Sequence, residues 1–340
     1  MNWAEMYFGT KSSDDGNPSD FRHQTSDPRV QTSEKPKIKN MKKLLLLTFL
    51  IISATAQSQI VDRSTLLSDI ETLSSKKFEG RKTGTPGNKL AADYISKRFS
   101  EIGLKSFQDG FRHPFTFKNR AEESKNGTNL IAYVKGKTDK VIVVSAHYDH
   151  LGSNGSTLYY GADDNASGVG AMLAFAEYFR KNRPLHTLLF VAFDAEESGL
   201  RGAYHFVSEP VVSKKNIVLN VNMDMISHND KKELYASGTY KHPELKSIIQ
   251  GEDKNTGIKI LFGHDLPDSG KDDWTMQSDQ GAFARANIPF IYFGVEDHKD
   301  YHKPTDTFEN INQDFYYGAT TAILRSIVKL DKDLVTRTRK

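Results

Sequence analysis

The chain has 340 residues, 37% of them hydrophobic and 26% charged, enough for a folded domain with a substantial core. A formal net charge of only +3, with no Arg/Lys stripe interleaved with aromatics, gives no support for a nucleic-acid partner. Cysteine is absent, which excludes disulfides and thiolate metal sites, so any metal must be held by His, Asp and Glu.

Residues 1–40 are polar, rich in Ser, Asp, Lys and Pro, and lack apolar periodicity. They read as a disordered stretch or as an upstream extension from a misassigned start. Met41-Lys42-Lys43 then supplies a short basic region, Leu44 to Ile52 an apolar run broken only by Thr48, and Ala54-Thr55-Ala56 a small-residue cleavage pattern. Residues 41–56 are therefore predicted to be a secretory signal peptide, with 57–340 a secreted or periplasmic domain. The apolar run falls short of the roughly 20 residues of a membrane span, so no stable membrane anchor is expected. Eight basic and six acidic side chains precede Gln57, which leaves the rest of the chain near neutral.

Leu66 to Leu73 and Ala91 to Phe99 have helical apolar spacing, with a loop over 80–87 between them and Gly103 as the cap of the second helix. Residues 105–127 read as a hairpin or surface excursion in which Phe111, Phe115 and Phe117 recur. Apolar strands are predicted over 129–134, 141–144, 188–193 and 217–221, and helices over 169–179 and 200–207. The segment 233–265 holds a strand, a helix and a strand. A short helix over 280–286, a strand over 289–293 and a long helix over 315–330 follow. Strands that are apolar throughout are covered on both faces. The predicted fold is α/β, a single domain with a mixed, mostly parallel central sheet flanked by helices on both faces.

Several polar residues fall just past the C-terminal ends of these strands, where open α/β sheets bind ligands. Five stand out: His147, Asp164, Glu197, Asp224 and His302. Two His and three carboxylates suit a cation such as zinc. Five ligands exceed the three that a catalytic zinc usually takes. They suit two ions about 3.5–4 Å apart that share one bridging carboxylate. Each ion would then have one His, one terminal carboxylate and the bridge. Singly, each residue has a plainer reading. Asp163 to Gly168 suits a turn and a helix cap, Glu196-Glu197 an acidic helix start, Asp224 a turn, and Tyr301 simple packing. Those readings would have to hold together at five separate strand ends.

Six short motifs run in one order: Ala146-His147-Tyr148-Asp149, Gly161-Ala162-Asp163-Asp164-Asn165-Ala166-Ser167-Gly168, Asp194-Ala195-Glu196-Glu197-Ser198-Gly199, Asn222-Met223-Asp224-Met225-Ile226, Ser278-Asp279-Gln280 and Tyr301-His302. In these the chain resembles the secreted di-zinc aminopeptidase family that also includes glutamate carboxypeptidase and, more distantly, glutaminyl cyclase. The likeness runs from about residue 66 to 330 and implies a zinc-exopeptidase fold with two Zn2+ ions and a peptide substrate. It implies that Asp164 is the bridge and Asp163 a neighbour. Glu197 and His302 would complete one zinc site, and His147 and Asp224 the other. Asp149 would hydrogen-bond His147 and fix its tautomer, and Asp306 would do the same for His302. Glu196 would be the general base acting on the water between the metals, and Tyr301 a donor to the oxyanion.

The implied activity is hydrolysis of peptide bonds at free N-termini. A carboxypeptidase or dipeptidase for acidic peptides is the close rival and would need a basic cluster, for which Arg201 and Arg285 are candidates. Glutaminyl cyclase, with one zinc, is the second. A binding module with its chemistry lost would lack ligands, and none of the five is missing. The substrate pocket is expected between loops 150–160, 228–240 and 264–280. His150, His205, His228, His264 and His298 receive structural or surface readings.

Overall fold

Burial of four apolar strands in a row sets the architecture. The computed structural model describes residues 60–119 and 121–337, all within one unit, Gln59–Lys340. The polar stretch 1–40 and the signal-like segment 41–56 lie outside the described residues. Helix α1, Arg63–Leu73, starts at Asp62, whose side chain accepts from Thr65 N–H. Helix α2, Pro86–Ile102, has Thr85 as its N-cap and Pro at its first turn, so the expected loop ends where the proline fixes a helical φ. Gly103 closes it at φ 77°, the left-handed cap that glycine adopts without a Cβ penalty.

The ambiguous stretch after α2 is a hairpin, β1 (Arg112–Lys118) with β2 (Ser124–Val134). There follow β3 (Val141–His147), α3 (Gly168–Lys181), β4 (Thr187–Phe193), α4 (Arg201–Ser208) and β5 (Ile217–Met223). The chain continues with β6 (Glu233–Ser237), α5 (Pro243–Ile249), β7 (Lys259–Phe262), α6 (Gln280–Arg285), β8 (Phe290–Gly294) and α7 (Gln313–Arg337).

The eight strands form one sheet in the order β1-β2-β4-β3-β5-β8-β6-β7. The four central strands β4, β3, β5 and β8 are parallel, and β2 and β6 join them antiparallel on either side. This is the predicted mixed, mostly parallel sheet. Alternate side chains enter two cores. Ile142, Val144 and Ala146 pack with α1, α2, α3 and α7 on one face, and Val141 and Val143 pack with α4 and α6 on the other. From β3 the chain crosses to β4 on one side, and then returns to β5 on the other. The direction of winding reverses at β3, and a crevice opens there at the C-terminal strand ends. No helix of the described residues is long and apolar enough to cross a membrane.

One buried cation ties this end of the sheet together. Arg81 is 1% exposed. Its guanidinium donates to the carbonyls of Leu73, Tyr148, Tyr160 and Gly161 at 2.8–2.9 Å. These lie at the end of α1, just past β3 and in the loop ahead of Asp164. Burial lowers its pKa to about 10, against the pull of Asp164, Asp306, Asp149 and Glu197, so it is charged at neutral pH. Replacing Arg81 by Met strips the donors from four buried carbonyls, each worth about 1–3 kcal/mol when left unpaired. We expect a loss of at least about 3 kcal/mol in urea unfolding of chelator-treated protein. Lysine will not rescue it, because one ammonium cannot reproduce the planar fork of donors. An unchanged midpoint for Arg81→Met would refute this role.

Candidate metal centre

Strand β3 ends on His147, 1% exposed. Its Nδ1 sits 3.1 Å from the carbonyl oxygen of Asp149 and 3.7 Å from that residue's carboxylate. An N–H at Nδ1 donating to the carbonyl leaves the Nε2 lone pair facing Asp224 Oδ1 at 3.2 Å and Asp164 Oδ1 at 3.4 Å. The nearer contact from Asp149 to the imidazole is thus its main-chain carbonyl, and the expected carboxylate lies farther off. The carboxylate accepts instead from the amides of Glu196 (3.0 Å) and Glu197 (3.3 Å) and from the Thr83 hydroxyl (3.2 Å). Burial works against a proton on His147, but Asp224 and Glu196 outweigh it and raise its pKa well above the usual value.

The two acids of the β3–α3 loop part company. Asp163 is saturated: its carboxylate accepts from Ser227 N (2.6 Å) and Ser227 Oγ (2.8 Å) and lies 2.9 Å from His298 Nε2. Asp164 turns its Oδ1 towards His147, and its Oδ2 towards His302 Nε2 at 3.1 Å and His150 Nδ1 at 3.5 Å. Loss of water and the Glu197 charge raise its pKa. The amides of both residues, Asp163 N–H (2.8 Å) and Asp164 N–H (3.0 Å), donate to the Asp306 carboxylate. Burial and Asp163 push Asp306 up to about 7. The expected bond from Asp306 to His302 is thus replaced by a clamp on the loop backbone, because two amides already take its oxygens. Asn165 fastens the same loop to β5, donating to Met223 O at 2.9 Å, and accepts from Gly168 N–H at 2.9 Å to start α3.

After β4, Ala195 takes φ 59° and turns the Glu196-Glu197 pair into the crevice. Glu197 Oε1 lies 3.0 Å from His150 Nδ1 and 3.6 Å from His302 Nε2. Burial would raise its pKa, but these two imidazoles hold it well below the carboxylate range. Glu196 goes the other way. Burial, Asp224, Asp279 and Glu197 raise it well above the usual value, with only His147 opposing. Asp224 continues the β5 ladder, its N–H donating to Phe293 O at 3.0 Å. His302 comes from the loop after β8 at φ 53°, with Tyr301 stacked on it at 4.0 Å between ring centroids. Burial lowers the proton affinity of His302, but Asp164 and Glu197 raise it to about 10.

The five residues thus converge as two sets on either side of Asp164. Tyr301 and Glu196 line the same small cavity, with Met225, Trp274, Tyr292 and Val295. Its walls come from loop 264–280 and the end of β8; none of the lining residues comes from 228–240. Loop 150–160 supplies His150 and Leu151 to an adjoining cavity that also holds Lys82, Lys125 and Phe117. Arg201 donates to Ser198 O, and Arg285 lies over the Tyr204 ring; neither lines these cavities. Gln280 accepts from Asn222 and donates to Trp274 O, which ties the cavity wall to β5. Asp279 beside it is fully buried with neither oxygen bonded among the described residues, and burial pushes it up to about 8.

His228, His298 and Asp300 form a further group behind Asp163. Both nitrogens of His298 are engaged, Nε2 with Asp163 and Nδ1 as acceptor from Asp300 N–H, which makes it scaffold for that carboxylate. His150, given a structural or surface reading from sequence, has its Nδ1 beside Glu197 and Asp164. Its signal was present, a third polar residue in the strand-end loop that begins at His147.

A sequence profile described as Peptidase family M28 matches residues 129–327, more than half of the chain and the span that holds all five converging residues. The chain is 34% identical over 181 residues to the alkaline phosphatase isozyme conversion protein of Escherichia coli, covering 49% of this chain and 52% of that one. It is 28% identical over 233 residues to aminopeptidase YwaD of Bacillus subtilis, covering 64% and 48%. It thus spans about half the length of the curated relatives it matches. Among solved structures it shares its fold with BSAP, a zinc aminopeptidase from Bacillus subtilis, at TM-score 0.64 and 17% identity over 78% of this chain and 95% of that one. It likewise shares its fold with Porphyromonas gingivalis glutaminyl cyclase, at TM-score 0.67 and 18% identity over 79% and 99%.

Proposed function

This chain belongs to peptidase family M28, and on that footing we propose that it is a zinc-dependent exopeptidase that cuts residues from free N-termini. One observation carries the reading: the two oxygens of Asp164 face two different sets of ligand-type atoms, His147 with Asp224, and His302 with Glu197. Ligands at 2.0–2.1 Å around a tetrahedral zinc lie about 3.3–3.4 Å from one another. The cross-distances here are 3.1–3.6 Å. The residues fit two zinc ions, with Asp164 as the shared ligand.

When bound, zinc supplies Lewis acidity towards the scissile carbonyl and makes water a better nucleophile. The remaining work falls to side chains. Glu196, with its raised proton affinity, accepts the proton of the attacking water and returns it to the leaving amine. Tyr301 keeps its phenolic proton, because burial and the charges of Asp164 and Asp224 oppose its loss, and donates to the oxyanion. Asp149 fixes the His147 ring and the 196–197 turn together, so ligand and base move as one unit. Met225, Trp274, Tyr292 and Val295 seat one substrate side chain. The ring of carboxylates, with Asp297 at its edge, favours a protonated α-amine over a C-terminal carboxylate. With Arg201 and Arg285 elsewhere, the carboxypeptidase reading gains no basic cluster from them. The signal-like segment 41–56 supports a location outside the cytoplasm for the peptidase domain, 57–340.

Purified protein is expected to release N-terminal residues from short peptides and to spare N-acetylated ones. A chelator should abolish release and zinc restore it. Equal cleavage of acetylated peptides would sink the aminopeptidase reading. One zinc per chain with ring closure of N-terminal glutamine would favour the glutaminyl cyclase alternative. Glu196→Gln should lower kcat by about 100-fold or more with zinc content unchanged; near-normal turnover would remove Glu196 as the base. By elemental analysis, Asp164→Asn should lose both metals and Asp163→Asn should keep both. The reverse result would move the bridge to Asp163.

A further inference from the structure

The two halves of the centre are unequal, and His150 makes them so. It lies three residues past His147 in the same strand-end loop and is 1% exposed. Its ring packs against Gly161, where φ is 60° and a Cβ would run into the imidazole and Asp164 O. Glycine here lets the ring and the Asp164 loop come together. His150 Nδ1 lies 3.0 Å from Glu197 Oε1 and 3.5 Å from Asp164 Oδ2. Its Nε2 is buried and without a hydrogen-bond partner among the described residues.

We propose that His150, through Nδ1, is a fourth protein ligand of the zinc held by Asp164, Glu197 and His302. The inference rests on the zinc reading above. Four cross-distances within this set run from 3.0 to 3.6 Å, again close to the edges of a tetrahedron about 3.3–3.4 Å long. Both carboxylate oxygens that face His302 also face His150, and His150 groups with Asp164 and Glu197 as a set of close ligand-type atoms. An imidazole this deep has lost its water, and with one nitrogen unpartnered a metal bond at the other offsets that loss. Among the described residues, the other group consists of His147, Asp164 and Asp224 alone, with one imidazole.

A site with four protein ligands is closed, and one with three keeps a position for water or substrate. The Glu197 side is then the resident, tighter site. The His147–Asp224 side, next to Glu196, is the open and exchangeable one.

The test is zinc titration of the chelator-stripped full chain, read by metal affinity and by X-ray absorption at one equivalent of zinc. Two steps are expected, the first tighter by more than about tenfold, with two imidazoles on the first zinc. His150→Ala should weaken the first step by more than about 100-fold, beyond the roughly 10–100-fold loss from removing a hydrogen-bond partner of a ligand. His147→Ala should spare the first step. A single imidazole on the first zinc in the unmodified protein, or a smaller loss in His150→Ala, overturns the assignment. The absorption measurement needs no variant, so a folding defect cannot mask the answer. Two zincs with one imidazole each would remove His150 and leave the peptidase reading intact. Failure to bind zinc at either step would remove both.

Discussion

Crowding of carboxylates at the ends of four parallel strands is the constraint on which the rest of this structure depends. Asp149, Asp163, Asp194 and Asp306 are all buried within a few residues of the centre. Each carboxylate taken out of water must be compensated. These four are compensated by donors of the fold itself. Asp194 accepts from Thr83, Asn88, Thr128 N–H and Ala195 N–H, and burial still pushes it up to about 6. Asp149 and Asp306 take main-chain amides, and Asp163 takes Ser227 and His298. Asp164, Glu197 and Asp224 are left facing imidazoles. The first group shapes the loops, and the second forms the centre. Behind both, Arg81 spends its donors on carbonyls, so its charge balances the cluster without neutralising any one acid by direct contact.

The sheet makes such crowding feasible. Side chains past β3, β4, β5 and β8 start from strands in register, so four loops open over the same few ångströms. Below them a buried polar ladder joins the strands: Ser145 donates to Asn222, Asn220 donates to Ser145, and Asn222 donates to Ser278 and Gln280. Such networks help to fix position, and in this one Asn220 Oδ1 is left without a hydrogen-bond partner among the described residues. Backbone strain gathers at the same rim, where Arg81, Ala195, Met225 and His302 have φ of 52–59°. Non-glycine residues at positive φ recur where a surrounding structure holds them for function.

Much of this was legible in the sequence, because it rests on periodicity and on chain order. The apolar runs at 141–144 and 188–193 marked buried strands, and their ends marked the crevice. Cysteine's absence leaves His and carboxylates as the metal-ligating side chains. What remained hidden depends on side-chain direction across contacts far apart in sequence. Asp306 looked like a partner for His302, four residues away, yet it is committed to the amides of 163 and 164. His150 looked incidental because its partners are Glu197, 47 residues on, and Asp164 beyond a loop. The wall from Trp274 to Tyr301 is a meeting of three segments that no local pattern announces.

Two pairs of adjacent acids carry the same lesson in a sharper form. In Asp163-Asp164 and in Glu196-Glu197, neighbours of identical chemistry take opposite tasks, because successive side chains leave the backbone in different directions. Asp163 turns back into Ser227 and His298 while Asp164 turns out to the imidazoles. Against burial, His150 and His302 hold the proton affinity of Glu197 down; burial, joined by the charges of Asp224 and Asp279, drives that of Glu196 up. A single-residue slip in either loop would exchange the roles and leave composition unchanged. The clamps on these loops, Asp306 on one and Asp149 on the other, act on main-chain amides and therefore on register. They hold the register of both loops, and so which acid of each pair meets the imidazoles follows from backbone hydrogen bonds.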